Sequence, residues 1–311
     1  MERILISEVM DEAAVERLKA AYAVEYRPSL VDDAIALEAA LPAADAWIVR
    51  NRTQVRGRLL EAATKVRVVG RLGVGLDNID VAACDARGIR VIPATGANAD
   101  SVAEYVMAMA TVLLRGLVFA TEATGAGRWM REAMSGGREL GGKTIGIVGF
   151  GSIGRVVARK AGALGMRIVA HDPQLAPADP AWAAHAATPL ALDALLEASD
   201  VVTLHVPLLP GTGGLLDAGR LARLRPDAVL INSARGGIVD ETALAALLRA
   251  GRLAGAALDV FATEPLPAGS ALVGAPRLIL TPHVAGVTRE ANERVGAVVA
   301  EGVARALRES R

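Results

Sequence analysis

The chain reads as an α/β protein built from two doubly wound parallel-sheet domains, the second nested inside the first. Three observations predict this. Short apolar runs alternate with helical segments along most of the 311 residues. Such alternation implies parallel sheets with helices on both faces. The rhythm breaks between Ala94 and Arg138, starts afresh at Lys143, and ends in a single long helical segment.

In chain order, the first series has strands at Ile4–Ser7, Ala46–Val49, Val66–Gly70 and Val91–Pro93. Its helices are Glu12–Ala20, Val31–Leu41, Arg58–Ala63 and Val81–Arg87. Asp100-Ser101-Val102-Ala103-Glu104 then starts a long apolar helix, its early acids matched to the positive dipole end. A Gly-rich stretch bearing arginines follows, from Gly125 through Trp129 to Arg138. The second series has strands at Thr144–Val148, Arg167–His171, Val201–His205, Ala228–Asn232, Gly255–Leu258 and Leu278–Leu280. Helices between them include Ile153–Leu164, Leu190–Ala198 and Glu241–Ala250. Arg289–Leu307 is the terminal helix. The resulting division is 1–97, 98–286 and 287–311, with the last segment returning to the first domain.

Hydrophobic residues make up 52% of the chain, enough for a large core. Thirty-four basic residues balance 34 acidic ones, which argues against a nucleic-acid binder. The single cysteine, Cys84, excludes an intrachain disulfide, and a reducing cytoplasm is the simple reading. The N-terminus carries acids too early for a signal peptide. Glu104 and Arg115 interrupt the most apolar stretch, Val102–Ala120, so it is expected to be buried rather than to span a membrane. The histidines have no metal-site spacing, and no metal is expected.

Gly149-Phe150-Gly151-Ser152-Ile153-Gly154 follows a buried strand and opens a helix. Gly149 permits the tight turn, Gly151 lets backbone approach a pyrophosphate, and Gly154 allows close helix–strand packing. The helix opening near Ser152 aims free N–H groups at phosphates. Asp172 ends the next strand, about 20 residues on, where an acid binds the adenosine ribose hydroxyls and repels the extra phosphate of NADP. These residues point to NAD.

Three further residues sit in local contexts suited to redox chemistry on a 2-hydroxy acid. Histidine is the side chain suited to moving a proton near neutral pH, and His283 in Thr281-Pro282-His283 suits that role. Glu264, before Pro265, can orient and charge-stabilise the ring. Arg235, in Asn232-Ser233-Ala234-Arg235-Gly236-Gly237, offers a planar fork for a carboxylate. Each has a plainer alternative as a turn histidine, a solvated acid or a strand cap. Their joint occurrence at strand ends after a nucleotide motif favours catalysis. His205 ends a strand and is placed to line the cofactor cleft. His171 neighbours the adenosine pocket, and His185 is read as incidental.

On these motifs the chain resembles the D-isomer-specific 2-hydroxyacid dehydrogenase family, especially its D-3-phosphoglycerate dehydrogenase branch, over nearly its whole length. The resemblance implies a Rossmann NAD-binding domain nested within a flavodoxin-like substrate-binding domain. It implies that Arg235 binds substrate, Glu264 supports the imidazole and His283 is the acid/base. It implies that Asp259 binds the nicotinamide carboxamide, with His205, Val206, Pro207, Thr212, Ala234 and Gly286 also beside the cofactor. Backbone N–H groups at Val74 and Gly75 would take the substrate carboxylate. A homodimer through the NAD-binding domain is implied, with contacts from the Ser101 helix and the Trp129 arm.

Arg50 and Arg52 follow a strand in Arg50-Asn51-Arg52-Thr53, and Arg71 precedes the glycine loop. Such cations suit a second anionic group on the substrate, although a solvated basic face is the alternative. A 3-phosphoglycerate-like acid is the leading expectation. Ile6-Ser7-Glu8, Arg50–Val55 and Gly70–Asp80 also resemble (S)-sulfolactate dehydrogenases, and glyoxylate or hydroxypyruvate reduction is a third option. A reading from another class, an NAD-sensing corepressor-like binding protein, is disfavoured because the three catalytic positions are intact.

Overall fold

A computed structural model describes Met1–Glu309; Ser310 and Arg311, the end of the 287–311 segment, lie outside the described residues. The chain divides into two compact units, Met1–Asn98 with Val287–Arg311, and Ala99–Gly286.

The first unit runs β1 (Arg3–Ile6), α1 (Glu12–Lys19), β2 (Ala23–Tyr26), α2 (Ala34–Ala40), β3 (Ala46–Val49), α3 (Gly57–Ala62), β4 (Val68–Arg71), α4 (Val81–Ala86) and β5 (Arg90–Pro93). Its five strands are all parallel, in the order β2-β1-β3-β4-β5. Successive residues of a strand face opposite sides, and the core follows. Ile4 and Ile6 pack on one face with Ile48, Val68 and, from the terminal helix, Val299 and Val303. Leu5 packs on the other with Trp47, Val49, Val69, Leu37 and Cys84. Fully burying one such aliphatic side chain contributes roughly 2 kcal/mol. The strand order reverses between β1 and β3, where ligands enter sheets of this kind.

The second unit starts with α5 (Ala99–Arg115) and α6 (Thr121–Gly125). It continues with β6 (Thr144–Val148), α7 (Ser152–Ala163), β7 (Arg167–His171), α8 (Pro180–Ala184), β8 (Ala187–Pro189), α9 (Leu192–Ala198) and β9 (Val201–Leu204). Then come α10 (Ala218–Leu221), β10 (Val229–Asn232), α11 (Glu241–Arg249), β11 (Gly255–Leu258) and β12 (Leu278–Leu280); α12 (Arg289–Glu309) belongs to the first unit. The seven strands are parallel, ordered β12-β11-β10-β9-β6-β7-β8, so the order reverses between β6 and β9. The buried face of α5 packs Val106, Ala110 and Leu113 against Ile145, Val229 and Ala257 of this sheet. Among the described residues no single helix is long and apolar enough to cross a membrane.

Aspartate fixes many helix starts. Asp11, Asp33, Asp80, Asp179, Asp217 and Asp240 each accept a first-turn N–H, in α1, α2, α4, α8, α10 and α11. A carboxylate there satisfies an orphan donor and faces the positive dipole end. The strands β2 and β8 are additions to the sequence-based expectation. Both are sheet edges, with no apolar run to mark them: Ala23-Val24-Glu25-Tyr26 is only partly buried, and β8 ends in Pro189. The expected helix Val31–Leu41 is shorter, because a 3-10 turn at Pro28–Asp32 comes first and Asp33 caps α2.

Candidate active site

Every motif of the second unit lies at the carboxyl end of a strand, on one edge of its sheet. Gly149 follows β6 with φ +94, and a Cβ there would lie 2.5 Å from the His205 carbonyl oxygen. A Cβ at Gly154 would lie 2.2 Å from the Gly149 oxygen, whereas Gly151 faces open space. Only glycine fits the first two positions, and the third leaves room for a ligand at the start of α7, whose first residue is Ser152. Ile153 is half-buried behind it. Asp172, past the end of β7, accepts the Phe150 N–H at 2.8 Å and the Gln174 N–H at 2.9 Å, so the acid is tied to the glycine loop itself. The cradle, the helix start and the acid fit a dinucleotide.

His205 follows β9, which ends at Leu204, one residue short of the expected strand, and it lies across the reversal point from the glycine loop. Its Nε2 is 3.0 Å from Thr203 Oγ1, while Nδ1 is enclosed without a partner. Some of the residue's surface remains exposed, but its ring is enclosed, and burial pushes the imidazole down to about 3. Val206 and Pro207 continue this loop, which Thr212 stitches by donating to the Pro207 oxygen at 2.6 Å and accepting the Leu209 N–H at 2.8 Å. His171 meets the Leu190 oxygen at 2.9 Å. His185, read from the sequence as incidental, packs edge-on against Phe150 at 5.7 Å between centroids, next to the Phe150–Trp182 stack.

The structure brings His283 and Glu264 together. His283 Nδ1 is 2.8 Å from Glu264 Oε2, and Glu264 Oε1 accepts the Phe261 N–H at 3.0 Å. The pair is partly exposed, with side-chain accessibilities of 47% and 38%. His283 has φ +56, a left-handed backbone that costs an L residue roughly 1 kcal/mol. Asp259 holds it there. The Asp259 carbonyl accepts the His283 N–H at 2.8 Å, and its carboxylate accepts the Val284 and Ala285 N–H groups at 2.9 and 2.8 Å. Thr281 donates its hydroxyl to the same carboxylate at 2.5 Å, so Tyr105 of α5, 2.8 Å away, must be the donor to Thr281. Burial pushes the Tyr105 phenol up to about 12, which keeps that donor protonated. Asp259 is thus a buried clamp on the histidine loop, and Gly286 closes that loop half-buried.

Arg235 follows β10. Asn232 shapes its turn by accepting the Ala234 N–H and donating to the Arg235 oxygen, both at 3.0 Å. Arg235 Nη1 donates to the Ala234 carbonyl at 2.6 Å. A Cβ at Gly236 would lie 1.8 Å from the Phe261 oxygen, so this glycine lets the arginine turn rest against the loop that carries Glu264.

In the first unit, Arg50 and Arg52 follow β3. Arg50 Nη2 donates to Asn292 Oδ1 at 3.0 Å, whereas Arg52 pairs with Asp32 on the exposed surface. Arg71 at the end of β4 lies in the space a Gly73 side chain would need and donates to the Leu72 oxygen at 3.2 Å. Val74 and Gly75 beyond it are half-buried. Sequence reasoning assigned no role to Glu8, Asn78, Asn232, Thr281 or Tyr105. Asn232 and Thr281 stand inside the strings read for Arg235 and His283, but nothing in those strings marks them as supports. Apart from Asn232, whose partners Ala234 and Arg235 are local, their partners are distant along the chain.

Among the described residues no group of three or more histidine, cysteine, aspartate or glutamate side chains could hold a metal ion. The sequence profile of the D-isomer specific 2-hydroxyacid dehydrogenase NAD binding domain matches residues 107–285. The (S)-sulfolactate dehydrogenase of Chromohalobacter salexigens is 51% identical over 308 residues, covering 99% of each chain. The D-3-phosphoglycerate dehydrogenase of Mycobacterium leprae is 42% identical over 275 residues, covering 88% of this chain but only 51% of that one. The chain therefore spans about half the length of that phosphoglycerate dehydrogenase. Among solved structures, a protein from Thermus thermophilus superposes with a TM-score of 0.87 at 33% identity, covering 99% of this chain and 97% of the other. By profile, by full-length identity and by fold, the chain belongs to the D-isomer-specific 2-hydroxyacid dehydrogenase family and is an NAD-dependent oxidoreductase acting on the CH–OH group of small 2-hydroxy acids.

Proposed function

We propose that the chain oxidises or forms a 2-hydroxy acid that carries a second anionic group, with the sulfonate of (S)-sulfolactate preferred over the phosphate ester of 3-phosphoglycerate. One observation carries the preference: the 51% identity to a sulfolactate dehydrogenase extends over 99% of both chains. It displaces the phosphoglycerate-like acid as the leading reading.

In this reading Gly149, Gly151, Ser152, Ile153 and Gly154 hold the pyrophosphate of NAD, and Asp172 holds the adenosine ribose. His205, Val206, Pro207, Thr212, Ala234, Asp259 and Gly286 flank the nicotinamide, which when bound supplies the hydride acceptor or donor. Arg235 holds the substrate carboxylate through its planar fork, and Val74 and Gly75 offer N–H groups to it. Glu264 occupies His283 Nδ1, which leaves Nε2 for the substrate oxygen. In the oxidative direction Nε2 takes the hydroxyl proton as the carbon loses hydride. In the reductive direction it returns that proton to the carbonyl oxygen. Arg50 and Arg52 meet the second anionic group.

The test is an initial-rate panel of sulfolactate, 3-phosphoglycerate, lactate and glycerate with NAD. Sulfolactate is expected to lead in kcat/KM by roughly tenfold or more, about 1.4 kcal/mol. A higher kcat/KM for 3-phosphoglycerate would reverse the preference, and equal values for lactate would remove the second anionic group.

We also infer a homodimer through the second unit. Leu117, Val118, Phe119 and Trp129 are exposed at 42, 48, 37 and 81%. Large apolar side chains left exposed within one short stretch of chain support a contact surface there.

A further inference from the structure

We propose that Glu8 is the positioning residue of the Arg50–Thr53 loop, turning the loop's backbone donors inward so that, at this loop, the second anionic group meets arginine side chains and not main-chain N–H groups. This rests on the reading that Arg50 and Arg52 meet a second anionic group, and it adds the residue that sets their placement. Glu8 follows β1 and Arg50 follows β3, so both stand at the reversal point of the five-stranded sheet.

The Glu8 side chain is buried, with the residue only 4% exposed. Its Oε1 accepts the N–H groups of Arg50 at 2.8 Å and Thr53 at 3.0 Å, and its Oε2 accepts that of Arg52 at 3.2 Å. Asn78 grips the other side of the loop, donating to the carbonyls of Arg50 at 3.2 Å and Thr53 at 2.7 Å. Glu8 is itself placed from both sides. Ser7 continues the ladder to Ile48 and accepts from Trp47 Nε1 at 2.9 Å, and Met10 is 3.3 Å from the Tyr26 hydroxyl on both its N–H and its carbonyl.

A bare turn of this kind would present N–H groups to an anion, as backbone nests do. Here the carboxylate takes three of them. It also puts an acid beneath the loop, which disfavours an anion resting on the backbone. Selectivity for the second anionic group therefore falls to the guanidinium groups, whose positions follow from the main chain that Glu8 fixes.

Glu8→Gln tests this at one atom. A glutamine carbonyl can keep the Arg50 and Thr53 N–H groups, but its amide nitrogen then faces the Arg52 N–H and turns that residue away. Full-length wild type, Glu8→Gln, Glu8→Asp and the Arg50→Ala/Arg52→Ala double variant are assayed with NAD on sulfolactate and on lactate. Glu8→Gln is expected to raise KM for sulfolactate tenfold or more. Its kcat, and its KM for lactate, should stay within about twofold. Glu8→Asp, which restores an acceptor-only group on a shorter arm, should fall between wild type and Glu8→Gln. If the arginine double variant discriminates between the two acids while Glu8→Gln and Glu8→Asp keep the wild-type KM ratio, the role of Glu8 is overturned and the two-anion reading stands. If the double variant raises KM equally for both acids, the two-anion reading fails and this inference fails with it. Should Glu8→Gln not yield folded protein, the KM ratio of Glu8→Asp decides, and an unchanged ratio overturns the proposal.

Discussion

His283 and Glu264 lie 19 positions apart, yet the 2.8 Å contact between them is the centre of the proposed chemistry. His283→Ala removes the proton carrier and should lower kcat roughly a hundredfold or more. NAD affinity should survive, since the proposed phosphate grip lies at Gly149–Gly154; calorimetric titration beside steady-state rates checks both halves. Near-normal turnover would exclude His283 from the mechanism. His205 makes a prediction of a different kind. Burial lowers its imidazole from 6.5 to about 3, so below pH 6.5 the unfolded chain binds a proton that the folded chain does not. The associated stability is complete above pH 6.5 and is lost as pH falls towards 3, at up to about 1.4 kcal/mol per pH unit. His205→Asn should therefore show a flatter fall of Tm with acidification than the wild type. Parallel Tm curves would mean the ring is not shielded as described.

Between strand and helix, the loop after β12 is built backwards from Asp259. Asp259→Asn keeps the shape but turns an amide towards the Val284 or Ala285 N–H, leaving a buried donor unpaired at a cost of about 1–3 kcal/mol. The expected result is a lower Tm together with reduced kcat, because the left-handed His283 loses its brace; a variant with unchanged Tm and kcat would show that the clamp is dispensable. This clamp was only half legible in the sequence. Arg235, Glu264, His283 and the glycine turn each sit in a recognisable local string, so they could be found by reading along the chain. The bonds that hold them could not. Thr281 reaches Asp259 across 22 positions, Tyr105 reaches Thr281 across 176, and Glu8 reaches its loop across 42 to 45. The same division holds for strands. Ala46–Val49 and Thr144–Val148 announce themselves because every residue is buried. The edge strands β2 and β8 pair on one side only and carry no such run. Two short helices outside the sequence-based expectation, α8 and α10, do carry a local signal, the capping Asp179 before Pro180 and the capping Asp217.

For the assembled protein, the apolar side chains between Leu117 and Trp129 set the expectation. Light scattering should report about twice the 32.1 kDa chain mass. Replacing Phe119 and Trp129 by glutamate should shift the mass towards one chain, because charge at the centre of an apolar contact is costly to desolvate. A wild-type mass of one chain at micromolar concentration would remove the dimer. The same substitutions leave the β6–β9 reversal point untouched, so a monomer with retained NAD affinity would separate assembly from cofactor binding.

Phe150 joins the glycine loop to an indole. It occupies the second position of the glycine motif, its N–H is held by Asp172, and its ring stacks 4.9 Å from Trp182. An indole in that contact senses small shifts of the loop backbone through its emission. The chain has three tryptophans, and of these Trp47 is buried in the other unit while Trp129 stands exposed. Adding NAD should change the intrinsic fluorescence, and Trp182→Phe should abolish the larger part of that change while sparing catalysis. A change of that kind would give the protein its own optical probe of nucleotide occupancy, usable without a substrate, a label or a coupled assay.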